Sequence, residues 1–123
     1  MDRPNIVIIV PEQWRGDLAG YAGHPVVRSP NVDRLAEEGV AFSRAYTTNP
    51  ICTPSRCSLV TGWYPHTRGH RTQRYLVGPD EPNLLLSLKS AGYRTSMLGK
   101  NDVLHRSVVA DSLDLAGPAP AGG

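Results

Sequence analysis

The sequence predicts an α/β layered fold with parallel strands and right-handed crossovers. Three observations carry that reading: an uninterrupted β-branched run at residues 6–10, three short helical patterns each closed by a glycine, and a second strand-like run at residues 93–98 after the last of them. Ile6, Val7, Ile8, Ile9 and Val10 do not alternate with polar residues, which is the pattern of a parallel strand buried on both faces, and Pro11 ends it. Functional groups are then expected just past its C-terminal end.

The elements follow in order. Ser29 and Pro30 open a helix over Val32, Leu35 and Ala36, with Ser29 as the cap, Pro30 in the first turn and Gly39 as a left-handed exit. Residues 40–42 form a candidate second strand. Residues 46–51 read as a loop into a helix from about Pro54 to Thr61, ended by Gly62. Residues 65–82 carry Gly, Pro, Arg and His without a period, as an active-site or surface loop does. Asn83 precedes a helix over Leu84, Leu85, Leu88 and Ala91, closed by Gly92, and the strand at 93–98 ends at Gly99 and Lys100. Residues 107–123 drift into Ala, Pro and Gly and are expected to be a disordered tail, leaving residues 1–106 as the folded part.

At 123 residues, with 40% hydrophobic and 20% charged residues, the chain has room for one domain with a core. Its 13 Lys and Arg against 11 Asp and Glu give a net charge of only +2, which predicts neither a nucleic-acid partner nor a membrane partner. The apolar run at the N-terminus is too short for a signal peptide or a membrane span, so a soluble cytoplasmic protein is expected. Cys52 and Cys57 are the two cysteines, and their spacing suggests neither a disulfide framework nor a structural zinc site. A reactive role for one of them stays open.

Residues 52–62 read Cys52, Thr53, Pro54, Ser55, Arg56, Cys57, Ser58, Leu59, Val60, Thr61, Gly62. This stretch resembles the signature of the type I sulfatase family, in which Cys-x-Pro-Ser-Arg is followed by four residues and Thr-Gly. Residues 4–10, 29–39, 62–66 and 92–100 are similar to the family's segments in the same order. The resemblance covers about the first hundred residues, the N-terminal portion of a sulfatase catalytic domain, and implies an alkaline-phosphatase-like parallel-sheet fold and sulfuric ester hydrolysis.

In that family the cysteine is oxidised to formylglycine by a formylglycine-generating enzyme or a radical maturase. The aldehyde hydrate then attacks the ester sulfur through one hydroxyl and expels sulfate through the other. The resemblance assigns this role to Cys52. If Pro54 opens the helix, free N–H groups and the positive end of the dipole lie beside Cys52 and favour an anion there. Arg56, one turn along on the same face, can brace the activated residue and neutralise oxyanion charge. Cys57 reads as a small core residue.

The family usually carries two acidic or amide metal ligands after its first strand, and Glu12 and Gln13 hold that place here, with Cys52 completing this chain's share of the ligands. Their oxygens suit a hard divalent cation, Ca²⁺ first, then Mn²⁺ or Mg²⁺, although Glu12 is one methylene longer than the usual aspartate. Asp17 reads as a surface residue. Lys100 resembles the lysine of the family's Gly-Lys-Trp-His segment, which contacts the sulfate, whereas Asn101 and Asp102 stand where Trp and His would be.

His70 and His66, in the loop after the signature helix, are candidates for proton transfer, ahead of His24 and His105. Arg68, Arg71 and Arg74 form a basic loop that could attract anions. Family members are several times longer and draw further ligands from downstream, so little activity is expected of this chain alone, and its Ala-Pro-Gly end fits a truncated or frameshifted reading frame. Two competing readings remain: a phosphonate or phosphate ester hydrolase using the same nucleophile, and a non-catalytic remnant.

Overall fold

The computed structural model describes residues 3–117, which fall into two compact units divided between Ala45 and Tyr46.

Among the described residues of the first unit the one regular element is α1, Pro30–Glu38. Pro30 sits in its first turn as expected, but Ser29 does not cap it. The Ser29 hydroxyl instead donates to Asp33 Oδ1 at 2.8 Å and accepts from the Gly20 N–H at 2.8 Å, while Asp33 Oδ1 also accepts from the Tyr21 N–H. The cap is thus spent on tying the 19–23 turn to the helix. A Cβ at Gly20 would lie 2.3 Å from Asp33 Oδ2 and would displace that carboxylate from this junction. Gly39, with φ −123°, is not the left-handed exit that the sequence predicts.

The buried strands expected at residues 6–10 and 40–42 are not formed. Val7 and Ile9 are 81% and 76% exposed, and Val40 and Phe42 are exposed as well. A doubly buried strand needs hydrogen-bonded neighbours and covering helices on both faces, and the described residues supply neither. Apolar content alone does not make a strand.

The second unit has a core. α2, Cys52–Thr61, begins two residues earlier than expected, so Cys52 is its first residue and Pro54 its third, where a missing N–H costs no hydrogen bond. Gly62 ends it in the left-handed conformation at φ 73°, donating to Ser58 O. The Thr61 hydroxyl donates back to Cys57 O at 2.7 Å and accepts from the Trp63 N–H at 3.1 Å, which locks the exit.

α3, Leu84–Ser90, is capped by Asn83, whose side-chain oxygen accepts from the Leu85 and Leu86 N–H groups. Its amide also donates to Ser112 Oγ at 2.8 Å, joining α3 to α4, Arg106–Ser112. β1, Ser96–Met97, pairs in parallel with β2, Leu115–Ala116, in the register Ser96 to Leu115 and Met97 to Ala116. With α4 between them this is a strand, helix, parallel strand unit, the expected α/β motif in miniature. Thr95 clasps the return, donating its N–H to Asp114 Oδ2 and its hydroxyl to Ser112 O. That N–H holds the Asp114 carboxyl below its ordinary range, with Lys89 assisting.

The disordered tail expected from residue 107 is therefore corrected as far as residue 117: its first part is α4 and β2, and residues 118–123 lie outside the described residues. Val108 and Leu113 anchor this segment in a core shared with Cys57, Val77, Val103 and Leu104. The Ala, Pro and Gly that follow obscured two apolar anchors, one within α4 and one just past its end. A parallel bridge between Val77 and Leu104 ties the 65–82 loop to the same core, with Val77 N–H to Val103 O at 2.8 Å and His105 N–H to Val77 O at 3.0 Å. No helix among the described residues is long and apolar enough to cross a membrane.

Candidate active site

The approach to α2 is set by Asn49, whose side-chain oxygen accepts from the Ile51 N–H at 2.8 Å, a turn compatible with the intervening Pro50. Ile51, in extended conformation, offers no side-chain acceptor to the first N–H groups of the helix. The helix start is thus an uncapped positive end with Cys52 upon it, an environment that favours an anion.

Cys52 and Cys57 then diverge. Cys52 is partly exposed, and its Sγ accepts from Gln73 Nε2 at 3.6 Å. Cys57 is fully buried at 0% exposure and points its thiol at Tyr75 O and Val103 O, 3.7 and 3.9 Å away. Burial pushes the Cys57 thiol up from 9.0 to about 11, so it stays a protonated core group. The core role that the sequence predicts for Cys57 is what the structure shows.

Arg56 is partly buried on α2, four residues and about one turn beyond Cys52. Lys100 is exposed and pairs with Asp102 at 2.7 Å. Asn101 forms a turn: its side-chain oxygen accepts from the Val103 and Leu104 N–H groups and its amide donates to Leu104 O. The two residues that depart from the Trp-His pattern thus aim Val103 and Leu104 into the core and place a carboxylate on Lys100.

His70 is almost wholly buried, with Nδ1 2.6 Å from Tyr75 O and Nε2 2.7 Å from Glu81 Oε1. A carbonyl only accepts, so Nδ1 is the donor to Tyr75 O, while Nε2 faces the Glu81 carboxylate. Glu81 Oε2 also accepts from the Gly78 N–H at 2.8 Å. Both ring nitrogens are engaged inside the protein. In this arrangement His70 clamps the 70–81 loop and presents no nitrogen to a substrate, which differs from the proton-transfer role that the sequence suggests. The loop that it clamps carries Gln73, a neighbour of Cys52 that sequence reasoning missed. Nothing in the sequence pattern singles out Gln73, because its place depends on the clamp.

His66 is exposed and stacks on Tyr64 at 5.8 Å between ring centroids. His24 Nδ1 accepts from the Val26 and Val27 N–H groups, and His105 Nδ1 from the Ser107 N–H, so both shape local turns. Asp17 pairs with Arg15 at 2.6 Å on the surface, which lowers its carboxyl below the ordinary value.

Glu12 and Gln13 lie in the first unit, both exposed, and Gln13 adopts a left-handed φ of 51°, an uncommon conformation for a residue other than glycine. Their oxygens are of the hard type, but two donors fall well short of the six to eight or so that Ca²⁺ takes. Among the described residues no group of three or more His, Cys, Asp or Glu side chains converges to hold an ion. These residues do not by themselves make a metal site.

Cys52 is thus the first residue of α2, partly exposed, with Arg56 four residues further along the same helix. Comparison with known proteins is specific. The Sulfatase family matches residues 4–112. The ulvan-active sulfatase of Formosa agariphila is 44% identical over 98 residues, which cover 80% of this chain and 19% of that protein. The N-acetylgalactosamine-6-sulfatase of Homo sapiens is 40% identical over 118 residues, covering 84% and 22%, and the arylsulfatase of Clostridium perfringens 38% over 102 residues, covering 82% and 21%. The chain belongs to the Sulfatase family, whose members generally use a metal ion and formylglycine. It spans about a fifth of the length of these relatives. No solved structure matches it with significance.

Proposed function

We propose that this chain carries the nucleophile segment of a sulfuric ester hydrolase with an alkaline-phosphatase-like fold, with Cys52 as the residue converted to formylglycine by a maturation enzyme. The observation that carries the proposal is the partly exposed Cys52 at an uncapped helix start, in a signature whose other cysteine is buried. The Cys52 thiol stands where the aldehyde hydrate would be. When present, that group supplies one hydroxyl to attack sulfur and a second to release sulfate.

The chain's own residues act around it. The first N–H groups of α2 stabilise negative charge at position 52, and Arg56 spreads its charge over the sulfate oxygens. The Gln73 amide fixes the orientation of the side chain at position 52. Lys100 is a second cation for the sulfate, weakened by Asp102 beside it. His70 acts indirectly, by holding the loop that bears Gln73.

Glu12 and Gln13 contribute oxygen donors toward a divalent cation, Ca²⁺ before Mn²⁺ or Mg²⁺. Because their number is insufficient, no step is assigned to the ion.

Grafting tests the proposal. Residues 4–112 replace the matched segment of the ulvan-active sulfatase, and hydrolysis of sulfate and phosphonate esters of the same alcohol is compared. The proposal expects sulfate to be preferred and turnover to fall about a thousandfold or more on Cys52→Ala. Turnover indifferent to Cys52→Ala would sink it, and a preference for phosphonate would favour the sister activity.

A further inference from the structure

Charge is segregated along this chain in a way that its small net value conceals. Between Glu38 and Asp80 there is no acidic residue, and Arg44, Arg56, Arg68, Arg71 and Arg74 all fall in that interval. Three of these lie in the loop at residues 63–75, all exposed, and none pairs with a carboxylate among the described residues. The loop is also aromatic. The Arg68 guanidinium lies 5.6 Å from the Trp63 ring centroid, and Tyr64 and Tyr75 are both exposed. An arginine resting on a ring keeps its planar donors ordered and directed outward.

A charged loop that flexes freely binds weakly, because ordering it offsets much of the gain. This one is held from below. His70 Nδ1 and the Cys57 thiol both donate to Tyr75 O, Glu81 bridges His70 to Gly78, and Val77 is bonded into the core. The loop also reaches the candidate nucleophile, since Gln73 touches Cys52 Sγ and stands between Arg71 and Arg74 in the chain.

We propose that the 63–75 loop is a second anion subsite beside Cys52, where Arg71, Arg74 and Arg68 take further sulfate groups of a sulfated polysaccharide while one ester is presented at position 52. The inference rests on Cys52 being the nucleophile and deepens it, by making the substrate a polymer with several sulfates rather than a small monosulfate. Guanidinium forks match the paired oxygens of a sulfate, and the exposed rings offer flat apolar faces to the C–H faces of sugars. Charge elsewhere argues against a nucleic acid, because the chain as a whole is nearly balanced and a nucleic-acid domain carries a larger basic footprint.

The test is binding of the full chain to dextran sulfate over a range of NaCl concentrations, with uncharged dextran and a duplex DNA of matched charge as the other arms. Arg71→Gln/Arg74→Gln should weaken dextran sulfate binding about tenfold or more and reduce the slope of log K against log salt by about 1.5 to 2. Uncharged dextran should not bind. Both arginines are exposed and pair with no carboxylate among the described residues, so an unchanged thermal midpoint and circular dichroism spectrum will show that the fold is intact.

Equal affinity for the double variant and the parent overturns the proposal, and so does duplex DNA bound as tightly as dextran sulfate with the same loss on substitution. Failure of the nucleophile reading would appear instead as an unmodified Cys52 in a chain that still binds the polymer.

Discussion

Cys52 and Cys57 share one helix yet face opposite environments: the first is partly exposed at the helix start beside Gln73, the second fully buried against Tyr75 and Val103. Five residues at 3.6 per turn turn the helix by about 140°, enough to carry one thiol to the surface and the other to the core. A signature with two cysteines therefore contains one thiol that is partly open to solvent and one that is not.

Thiol labelling should separate them. In the folded chain near neutral pH, iodoacetamide should modify Cys52 alone, and Cys57 should react only once urea unfolds the protein. Peptide mapping reads the outcome, and early modification of Cys57 would show that the core around it is open.

Stability should depend on pH through Cys57. Its folded thiol is raised by burial from 9.0 to about 11, so the folded state keeps a proton that the unfolded chain gives up. The stabilisation is complete below pH 9.0 and is lost as pH rises through about 11. The urea midpoint of the parent should fall across that interval more steeply than that of Cys57→Ser, whose hydroxyl does not titrate there. Parallel curves would contradict this account.

The His70 and Glu81 pair should behave as a unit. Glu81→Ala strands a buried ring nitrogen and the Gly78 N–H, at a cost of about 3 kcal/mol, and His70→Ala should cost a similar amount. The double variant should lose well under the sum, with coupling of about 1 kcal/mol or more in a denaturation cycle. Additive losses would mean that the two do not form one clamp.

The apolar run at residues 6–10 should make the isolated chain prone to self-association. Val7 and Ile9 are largely exposed, and a β-branched run without charge readily pairs edge to edge. Ile9→Lys should lower light scattering at high protein concentration, and unchanged scattering would clear this segment.

The local elements around position 52 and at residue 83 were legible because their signals are local. The helix at residues 52–61, the left-handed Gly62 and the cap at Asn83 all follow from residue types within a few positions of one another. What the sequence hid depends on long-range partners. Residues 6–10 read as a buried strand because their composition suits one, but burial requires neighbours that these residues do not acquire. Ser29 reads as a cap, yet Gly20 and Tyr21 compete for the same Ser29 and Asp33 oxygens. His70 reads as a candidate for proton transfer from its loop position, and nothing local shows that Glu81, eleven residues on, lies across its ring. Gln73 carried no signal at all, since its meeting with Cys52 spans 21 residues and depends on that clamp.

The most direct measurement is mass spectrometry of the peptide around position 52, from chain produced together with a formylglycine-forming maturase and trapped with an aminooxy reagent. An aldehyde at position 52, with the thiol at position 57 intact, is the predicted result. An unaltered thiol at 52 in a host that converts other sulfatases would contradict the account.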